Sequence, residues 1–284
     1  MHMIIDAHTH VFSSKIIAER DYYCSNDACF ADLYSNRKAK IFTVDELIKA
    51  MDESEISCSA ILNIGWVNHE MCVINNDYIL EAIARYPDRL IGFCSIQPRE
   101  CDRAVKELER CLKSGIAGIG ELRPDIQDYD LNDELLSPII ELLTNKNAIL
   151  FLHASEPVGH HYSGKGNMTP GVLYNFITRN TNLKIILAHF GGGLPFYELM
   201  PEVQKMFCNV YYDTAAAPFL YSAQIYKVIE NINGCAKLMF GSDWPLLDQR
   251  RVIKHIQSAG LDREKEENIF FRNAIKIFDL KGRI

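Results

Sequence analysis

Eight short apolar runs recur along the 284-residue chain, separated by longer segments with the hydrophobic period of an amphipathic helix. Each run is rich in isoleucine, valine, leucine or phenylalanine and ends in glycine, proline or a polar residue, which is typical of buried strands in a parallel sheet. The runs are Met3–Asp6, Cys58–Ile64, Leu90–Ile96, Ile116–Gly120, Ala148–Leu152, Lys184–Ala188, Asn209–Asp213 and Lys237–Gly241. Eight strands that alternate with helices predict an α/β fold, a single (β/α)8 TIM barrel over residues 1–284.

One segment falls outside this alternation. Residues 11–42 separate the first predicted strand from its helix, and in a barrel this position lies at the catalytic face. We predict a loop insertion over the barrel mouth, which is either a lid or an ordinary surface insertion. A Rossmann fold is disfavoured, because the glycines of Ile116–Gly120 do not follow the Gly-x-Gly-x-x-Gly spacing.

Charge and hydropathy exclude several kinds of partner. The formal net charge of −7 disfavours an electrostatic grip on nucleic acid, so we expect no nucleic-acid partner. No apolar run approaches the roughly 20 residues of a membrane-spanning helix. Asp6, His8 and His10 would interrupt the apolar region of a signal peptide, and we therefore predict a cytoplasmic protein that acts on a small molecule.

Histidines and an aspartate stand at the ends of the predicted strands. His8 and His10 fall on the same side of a strand, because side chains alternate with a period of two. His153, His189 and Asp243 follow the fifth, sixth and eighth runs. Strand ends of a parallel barrel meet at one mouth, so this set predicts a site for a borderline cation such as zinc. Taken singly, each residue could instead be a buried hydrogen-bonded histidine or an aspartate that caps the next helix.

The same residues carry a resemblance to a known family. Asp6–His10, His153, His189–Gly192 and Gly241–Pro245 resemble, in order and spacing, the motifs of the amidohydrolase superfamily, and most closely those of its family 2 branch. The resemblance covers nearly the whole chain.

The resemblance implies a role for each of these side chains. His8, His10 and His153 would bind metal, Asp243 would bind metal or activate its water, and His189 would bind a second metal or act as an acid or base.

Glu121 bears on the number of metal ions. Many superfamily members carry a carboxylated lysine on the fourth strand, but Gly118–Arg123 contains no lysine. Glu121 resembles the bridging glutamate of the deoxyribonuclease-like branch. We predict Glu121 as a metal ligand, although it could instead orient a histidine, and we expect one or two divalent ions, with zinc first among them.

Four further residues are candidates for substrate binding. Arg123 lies two positions after Glu121 and could clamp a carboxylate bidentately, or form a salt bridge on the rim. His160 and His161 lie in a glycine-rich loop that could close over the substrate or remain a polar surface loop. Trp66, after the second run, is predicted to shape the pocket.

The function predicted first is a metal-dependent hydrolase. Metal-activated water would cleave an amide, ester or lactone of a small carboxylate-bearing substrate, with Asp243 taking the proton and His189 donating to the oxyanion. The alternative is a metal-dependent, non-oxidative decarboxylase or a hydratase of an aromatic or unsaturated acid, since the resembled branch includes such enzymes. A barrel that binds a ligand without turnover is a third possibility. Relatives in this branch are often dimers, which makes a homodimer possible.

Overall fold

The structure, a computed structural model, describes residues 3–280. Eight parallel strands lie side by side in chain order, each paired with the next. They are β1 Ile5–His10, β2 Cys58–Leu62, β3 Leu90–Cys94, β4 Gly118–Leu122, β5 Ile149–Leu152, β6 Lys184–Leu187, β7 Val210–Asp213 and β8 Leu238–Met239. The predicted α/β (β/α)8 barrel is confirmed.

The barrel closes where the chain beyond β8 meets β1. The Ala7 amide donates to the Phe240 carbonyl at 2.8 Å, and the His10 amide donates to the Trp244 carbonyl at 2.7 Å. These bonds bring the segment after β8, which carries Asp243, beside the end of β1.

Helices surround the strands. They are α1 Ser14–Ala18, α2 Arg20–Asn26, α3 Ala28–Tyr34, α4 Val44–Glu53, α5 His69–Arg85, α6 Asp102–Lys113, α7 Pro124–Gln127, α8 Ser137–Asn145, α9 Pro170–Arg179, α10 Pro201–Met206, α11 Ala217–Leu220, α12 Gln224–Asn233, α13 Gln249–Gln257, α14 Arg263–Glu267 and α15 Asn273–Ile277. Short 3-10 turns cover Pro98–Glu100, Glu134–Leu136 and His189–Leu199, and a π-helical turn covers Asn268–Arg272. Within residues 3–280, no helix combines the length and apolar character needed to span a membrane.

The insertion after β1 is helical, where the sequence predicted a loop. Helices α1 to α3 are held by Ser13 and Asp27, whose side chains accept from amides of the following turn. Phe12, Phe30 and Trp66 pack together, with the rings of Phe30 and Trp66 stacked at 5.3 Å. Because the three helices have only five to seven residues each, they show too few turns for a hydrophobic period to be read from the sequence.

A buried polar network outside the barrel supports the fourth strand. The Glu107 carboxylate on α6 accepts from Asn76 Nδ2 at 2.7 Å and from Arg110 Nε at 2.8 Å. The Asn76 side chain in turn accepts from Asn63 Nδ2 at 2.8 Å, and the Asn63 carbonyl accepts from the Glu121 amide at 2.5 Å. A chain of hydrogen bonds therefore runs from α6 to the backbone of a candidate metal ligand.

Replacing Glu107 by Gln should lower the free energy of unfolding at pH 7 by about 1–3 kcal/mol, because a charged acceptor of a buried network is lost. Hydrogen bonds from Arg110 and Asn76 outweigh burial, which alone would raise the pKa, and hold the pKa of Glu107 below its ordinary 4.5. The carboxylate therefore stabilises the fold above pH 4.5, and its contribution disappears as the pH falls through the lower folded-state value.

Urea unfolding at pH 7 and at acidic pH measures this difference. The exposed Glu109, which pairs with Lys113, is the matched control, and Glu109→Gln should change the free energy by less than about 0.5 kcal/mol. Equal losses in the two variants, or a Glu107→Gln loss that does not shrink in acid, would contradict the account.

Candidate metal centre

The candidate metal ligands predicted from the sequence converge at one end of the barrel. His8 and His10 lie within β1 and Glu121 lies within β4, while the other three follow directly after β5, after β6 and close after β8. Their side chains are largely withdrawn from solvent, from 0% exposed for His8 to 14% for Asp243. The structure brings together His8, His10, Glu121, His153, His189 and Asp243.

Two of the imidazoles face each other directly. His8 Nε2 and His10 Nε2 are 3.0 Å apart. Asp243 Oδ1 lies 3.8 Å from the first of these nitrogens and 3.6 Å from the second. These three side chains form one group whose ligand atoms can hold a divalent metal ion.

Glu121 connects this group to a second one. Its Oε2 lies 3.5 Å from His8 Nε2 and 3.6 Å from His10 Nε2. Its Oε1 lies 2.9 Å from His153 Nδ1 and 3.5 Å from His189 Nε2. Glu121, His153 and His189 form the second group able to hold a metal ion.

The glycine before Glu121 lets β4 lie close to β5. Gly120 has a φ of +137°, which only glycine adopts readily, and a Cβ there would lie 2.3 Å from the Phe151 carbonyl oxygen. A larger residue at this position would push β4 away from β5. The Gly-Glu pair at the end of this strand is therefore a requirement of packing as well as of chemistry.

The outer ring nitrogen of each histidine is held by a fixed partner. His8 Nδ1 lies 2.7 Å from Asp213 Oδ2, and His153 Nε2 lies 3.0 Å from Ser155 Oγ. His10 Nδ1 and His189 Nδ1 face backbone carbonyls, those of Leu62 at 3.3 Å and Ala215 at 3.1 Å. A carbonyl only accepts, so both Nδ1 atoms carry the proton, and in the neutral rings Nε2 presents a lone pair to the centre.

Asp213, the last residue of β7, makes further contacts beyond its bond to His8. Besides its bond to His8, its Oδ1 accepts from the His189 amide at 2.9 Å and from the Ala215 amide at 3.0 Å. One carboxylate thereby orients a ring on β1 and holds the backbone of the segment that carries His189.

Buried charges shift the pKa values of these groups in opposite directions. Burial lowers the pKa of His8, but the negative charges of Asp213 and Glu121 outweigh it and raise the value well above 6.5. Burial is likewise outweighed at His189, where the hydrogen bond and charge of Glu121 raise the pKa to about 9. Burial lowers the pKa of His10 and of His153. The largely buried centre therefore attracts positive charge.

The backbone is strained at two of the ligands. His189 has a φ of 55° and Asp243 a φ of 61°, in the left-handed region that costs a non-glycine residue about 1 kcal/mol or more. The Asp243 amide donates to the His8 carbonyl at 2.9 Å, which holds this conformation. A strained backbone conformation at two candidate ligands is typical of a functional site.

Asp6 fixes the segment before Asp243. It is fully buried and accepts from Ser242 Oγ at 2.6 Å and from Gln249 Nε2 at 2.8 Å. Burial raises the pKa of Asp6 to about 6 despite these bonds. Asp6 also accepts from the backbone amide of His8 at 3.2 Å, and its other contacts anchor the segment before Asp243.

Arg123 is buried and already paired with two carboxylates. Its Nη1 lies 3.2 Å from Asp32 Oδ2, on the insertion helix α3, and its Nη2 lies 3.3 Å from Asp125 Oδ2. The Asp32 side chain is 37% exposed and that of Asp125 is 9% exposed. Burial and then the charge of Arg123 act to lower the pKa of His153, which places the guanidinium near the metal centre.

The other predicted substrate-binding residues lie apart from the ligand group. Trp66 is fully buried beneath the insertion, where its Nε1 donates to Asn63 Oδ1 at 2.7 Å. His160 and His161 are exposed in the loop between β5 and α9. Their roles in substrate binding stay predictions.

Sequence reasoning missed several residues that build this site. Ser155 contacts His153, Asp32 pairs with Arg123, and Tyr34 is buried where the charge of Asp243 raises its pKa, but none of the three carries a motif. Ser155 follows His153 by two residues on the same strand extension, which is the one signal that could have found it.

Residues 5–280 match the family model described as Amidohydrolase. The chain belongs to this family. The match confirms the resemblance to the family 2 branch of the amidohydrolase superfamily and supports an enzyme that depends on a divalent metal.

The chain is similar in sequence or structure to three decarboxylases. A 2-amino-3-carboxymuconate-6-semialdehyde decarboxylase of Dictyostelium discoideum is 25% identical over 238 residues, which are 72% of this chain but only 65% of that protein. A gamma-resorcylate decarboxylase of Polaromonas is 22% identical over 249 residues, 72% of this chain and 75% of that protein. The 5-carboxyvanillate decarboxylase of Novosphingobium aromaticivorans, solved with manganese and 4-hydroxy-3-methoxy-5-nitrobenzoic acid, has a TM-score of 0.80 at 18% identity, covering 98% of this chain and 96% of that chain.

The prediction of a hydrolase is wrong. The relatives and structural neighbours that overturn it are decarboxylases of carboxylated aromatic or unsaturated compounds, which agrees with the alternative prediction. The donor set that suggested hydrolysis is compatible with both reactions, so the ligand residues alone could not separate them. The prediction of zinc is not confirmed, because the solved neighbour contains manganese.

Replacing Asp213 by Asn should weaken metal binding about 10-fold to 100-fold, because His8 loses the anionic partner that orients it and raises its basicity. Competition between the metal-depleted protein and a fluorescent chelator for Mn²⁺ measures the affinity. The control is Glu198→Gln, which changes a buried carboxylate that accepts from Tyr212 and Lys237. If Asp213→Asn bound Mn²⁺ with wild-type affinity, Asp213 would only hold the backbone of His189 and Ala215 and would not affect metal binding.

Proposed function

We propose that this protein is a metal-dependent, non-oxidative decarboxylase of an aromatic or unsaturated carboxylic acid. The observation that carries the proposal is that relatives from two different substrate groups, an aminocarboxymuconate semialdehyde and a resorcylate, share the decarboxylase name. The buried cation-attracting centre at the barrel mouth supports it, because both substrates are anions.

The residues present fit a divalent cation. Each histidine has its outer nitrogen bonded to a partner outside the centre, so its inner nitrogen faces the centre, where it would bind metal. Two inner nitrogens only 3.0 Å apart, on His8 and His10, repel each other unless a proton or cation lies beside them. His8, His10, Glu121, His153, His189 and Asp243 would hold the metal.

When bound there, the cation supplies a Lewis acid that withdraws electron density from substrate oxygen atoms. Imidazole and carboxylate donors accept either zinc or manganese. Manganese is the first ion to test, because the solved neighbour contains it.

Decarboxylation needs one proton at one carbon. The bond between the substrate carbon and its carboxylate breaks, carbon dioxide leaves, and the electron pair left on the carbon takes a proton. We assign the delivery of this proton to Asp243, whose side chain is the most exposed of the candidate ligands at 14% and can regain a proton from solvent. His189 is then a ligand, since its Nε2 points at Glu121.

A tyrosine of the insertion is buried near the centre. Tyr34 from α3 is only 8% exposed, and burial followed by the charge of Asp243 raises the pKa of its phenol well above 10. A neutral phenol, which packs on the rings of Phe12 and Phe30, therefore lies near the charged centre. Such surroundings favour the conversion of a charged carboxylate into neutral carbon dioxide, because a buried anion is costly.

Purified protein supplied with Mn²⁺ should release carbon dioxide from 2,6-dihydroxybenzoate, 5-carboxyvanillate or 2-amino-3-carboxymuconate-6-semialdehyde. Removal of the metal by a chelator should lower the rate by at least about 100-fold, and added Mn²⁺ should restore it. Carbon-13 NMR of carboxyl-labelled substrates follows the product directly. Release that survives complete metal removal would contradict the proposal.

We propose further that the substrate carboxylate binds Arg123 in the place of Asp32. Asp125 is held by a second bond, because its Oδ2 also accepts from the Asn167 amide at 3.1 Å. Asp32 is the more exposed of the two partners and makes a single contact with the guanidinium at 3.2 Å. A planar substrate carboxylate can replace it and form two parallel bonds.

The variant Asp32→Asn should then lower KM for the carboxylate substrate about threefold to tenfold, because a competing anion is removed, while kcat changes little. This range corresponds to about 0.6–1.4 kcal/mol. Steady-state kinetics measures it, and Asp21→Asn, which changes a carboxylate of the same insertion paired with Arg37, is the matched control. A raised KM in Asp32→Asn alone would show that Asp32 holds Arg123 in place instead of competing for it.

A further inference from the structure

The outer partner of His153 differs in kind from those of the other histidines. His8, His10 and His189 each face a group that only accepts, a carboxylate in the first case and a backbone carbonyl in the other two. The outer nitrogen of His153, Nε2, lies 3.0 Å from the hydroxyl of Ser155. A hydroxyl donates as well as accepts, so this partner does not fix the tautomer of the His153 ring.

The inner nitrogen of His153 can be used in two ways. Nδ1 lies 2.9 Å from Glu121 Oε1, which is the length of a hydrogen bond. A carboxylate accepts, so in this contact Nδ1 carries the ring proton and Nε2 presents a lone pair to Ser155. A metal ion bound by Nδ1 requires the lone pair on that nitrogen, and the neutral ring then carries its proton on Nε2.

We propose that Ser155 is a positioning residue that lets His153 exchange tautomers when the centre binds metal. In the hydrogen-bonded state, Nδ1–H donates to Glu121 and the Ser155 hydroxyl donates to Nε2. In the metal-bound state, Nε2–H donates to Ser155 Oγ, whose own hydrogen turns away from the ring. Nδ1 releases one proton to solvent and Nε2 takes up one, so the ring stays neutral and releases no net proton.

The loop between β5 and α9 holds the Ser155 hydroxyl in place. Its Oγ accepts from the Gly166 amide at 3.0 Å, which leaves one lone pair and the hydroxyl hydrogen for His153. A Cβ on Gly166 would overlap the Asp125 carboxylate and lie 2.9 Å from Arg123 Nη2. Glycine is therefore required where this amide reaches Ser155. The serine is fully buried, so bulk water does not compete for either of its bonds.

Nitrogen-15 NMR of the histidine-labelled full chain tests the exchange on the wild-type protein, because the ring-nitrogen shifts and couplings identify the protonated nitrogen. Zn²⁺ is the probe, since it is diamagnetic and binds imidazole and carboxylate donors. His153 should carry its proton on Nδ1 in the metal-depleted protein and on Nε2 at saturating Zn²⁺. His10, whose Nδ1 faces a carbonyl, should keep its proton on Nδ1 in both.

The spectrum of His153→Asn assigns the signals of His153 by their loss, and elemental analysis establishes the Zn²⁺ content. An unchanged tautomer of His153 at saturating Zn²⁺, or a centre that binds no Zn²⁺, would overturn the proposal. The exchange depends on metal binding and not on the reaction, so the absence of decarboxylation would leave this result unaffected.

Substitutions at Ser155 measure what its hydroxyl contributes to metal binding. Ser155→Ala removes both donor and acceptor and should weaken Zn²⁺ binding about 10-fold. Ser155→Cys keeps a weak donor and acceptor and should lose less. Ser163→Ala, which changes an exposed serine of the same loop, should keep wild-type affinity. Wild-type affinity in a folded Ser155→Ala would contradict the proposal, and if that variant does not fold, the wild-type NMR spectra decide.

Discussion

The carboxylate of Glu121, buried among four imidazoles, is the interaction on which the rest of the site depends. From β4 it contacts side chains on β1 and just after β5 and β6, at distances of 2.9 to 3.6 Å. Four nitrogens and one anion are brought together out of water, where neither imidazole lone pairs nor a bare carboxylate are stable alone. A cation stabilises both kinds of group, so the arrangement favours cation binding whatever reaction follows.

The fold maintains this arrangement from outside. Gly120 permits the close approach of β4 and β5, and the hydrogen-bond chain from Glu107 through Asn76 and Asn63 holds the backbone of Glu121. On the opposite side of the barrel, Asp6 holds Ser242, next to Asp243. The helical insertion supplies Asp32 to Arg123, and its Tyr34 is buried close enough to Asp243 for that charge to raise the pKa of the phenol. Stability and function are thus coupled through a small number of buried polar contacts.

Much of this could be predicted from the sequence, and the limits have physical causes. The alternation of strands and helices predicted the barrel, and strand-end positions predicted that His8, His10, His153, His189 and Asp243 would meet. The apolar run predicts the first strand at Met3–Asp6, whereas the strand covers Ile5–His10, because polar side chains such as His8 and His10 interrupt the apolar pattern of a strand. Partners such as Ser155 and the Leu62 carbonyl depend on the folded backbone, and no local pattern marks them. The reaction itself was predicted wrongly, since the donor set is common to both chemistries.

In the proposed decarboxylation, the buried centre removes carbon dioxide and places a solvent-derived proton on carbon. The most direct measurement is turnover in deuterium oxide with mass spectrometry of the product. We expect one deuterium per product molecule, at the carbon that carried the carboxylate, and only with metal-loaded protein. A product that retains its carboxylate, or that carries no deuterium at that carbon, would contradict it.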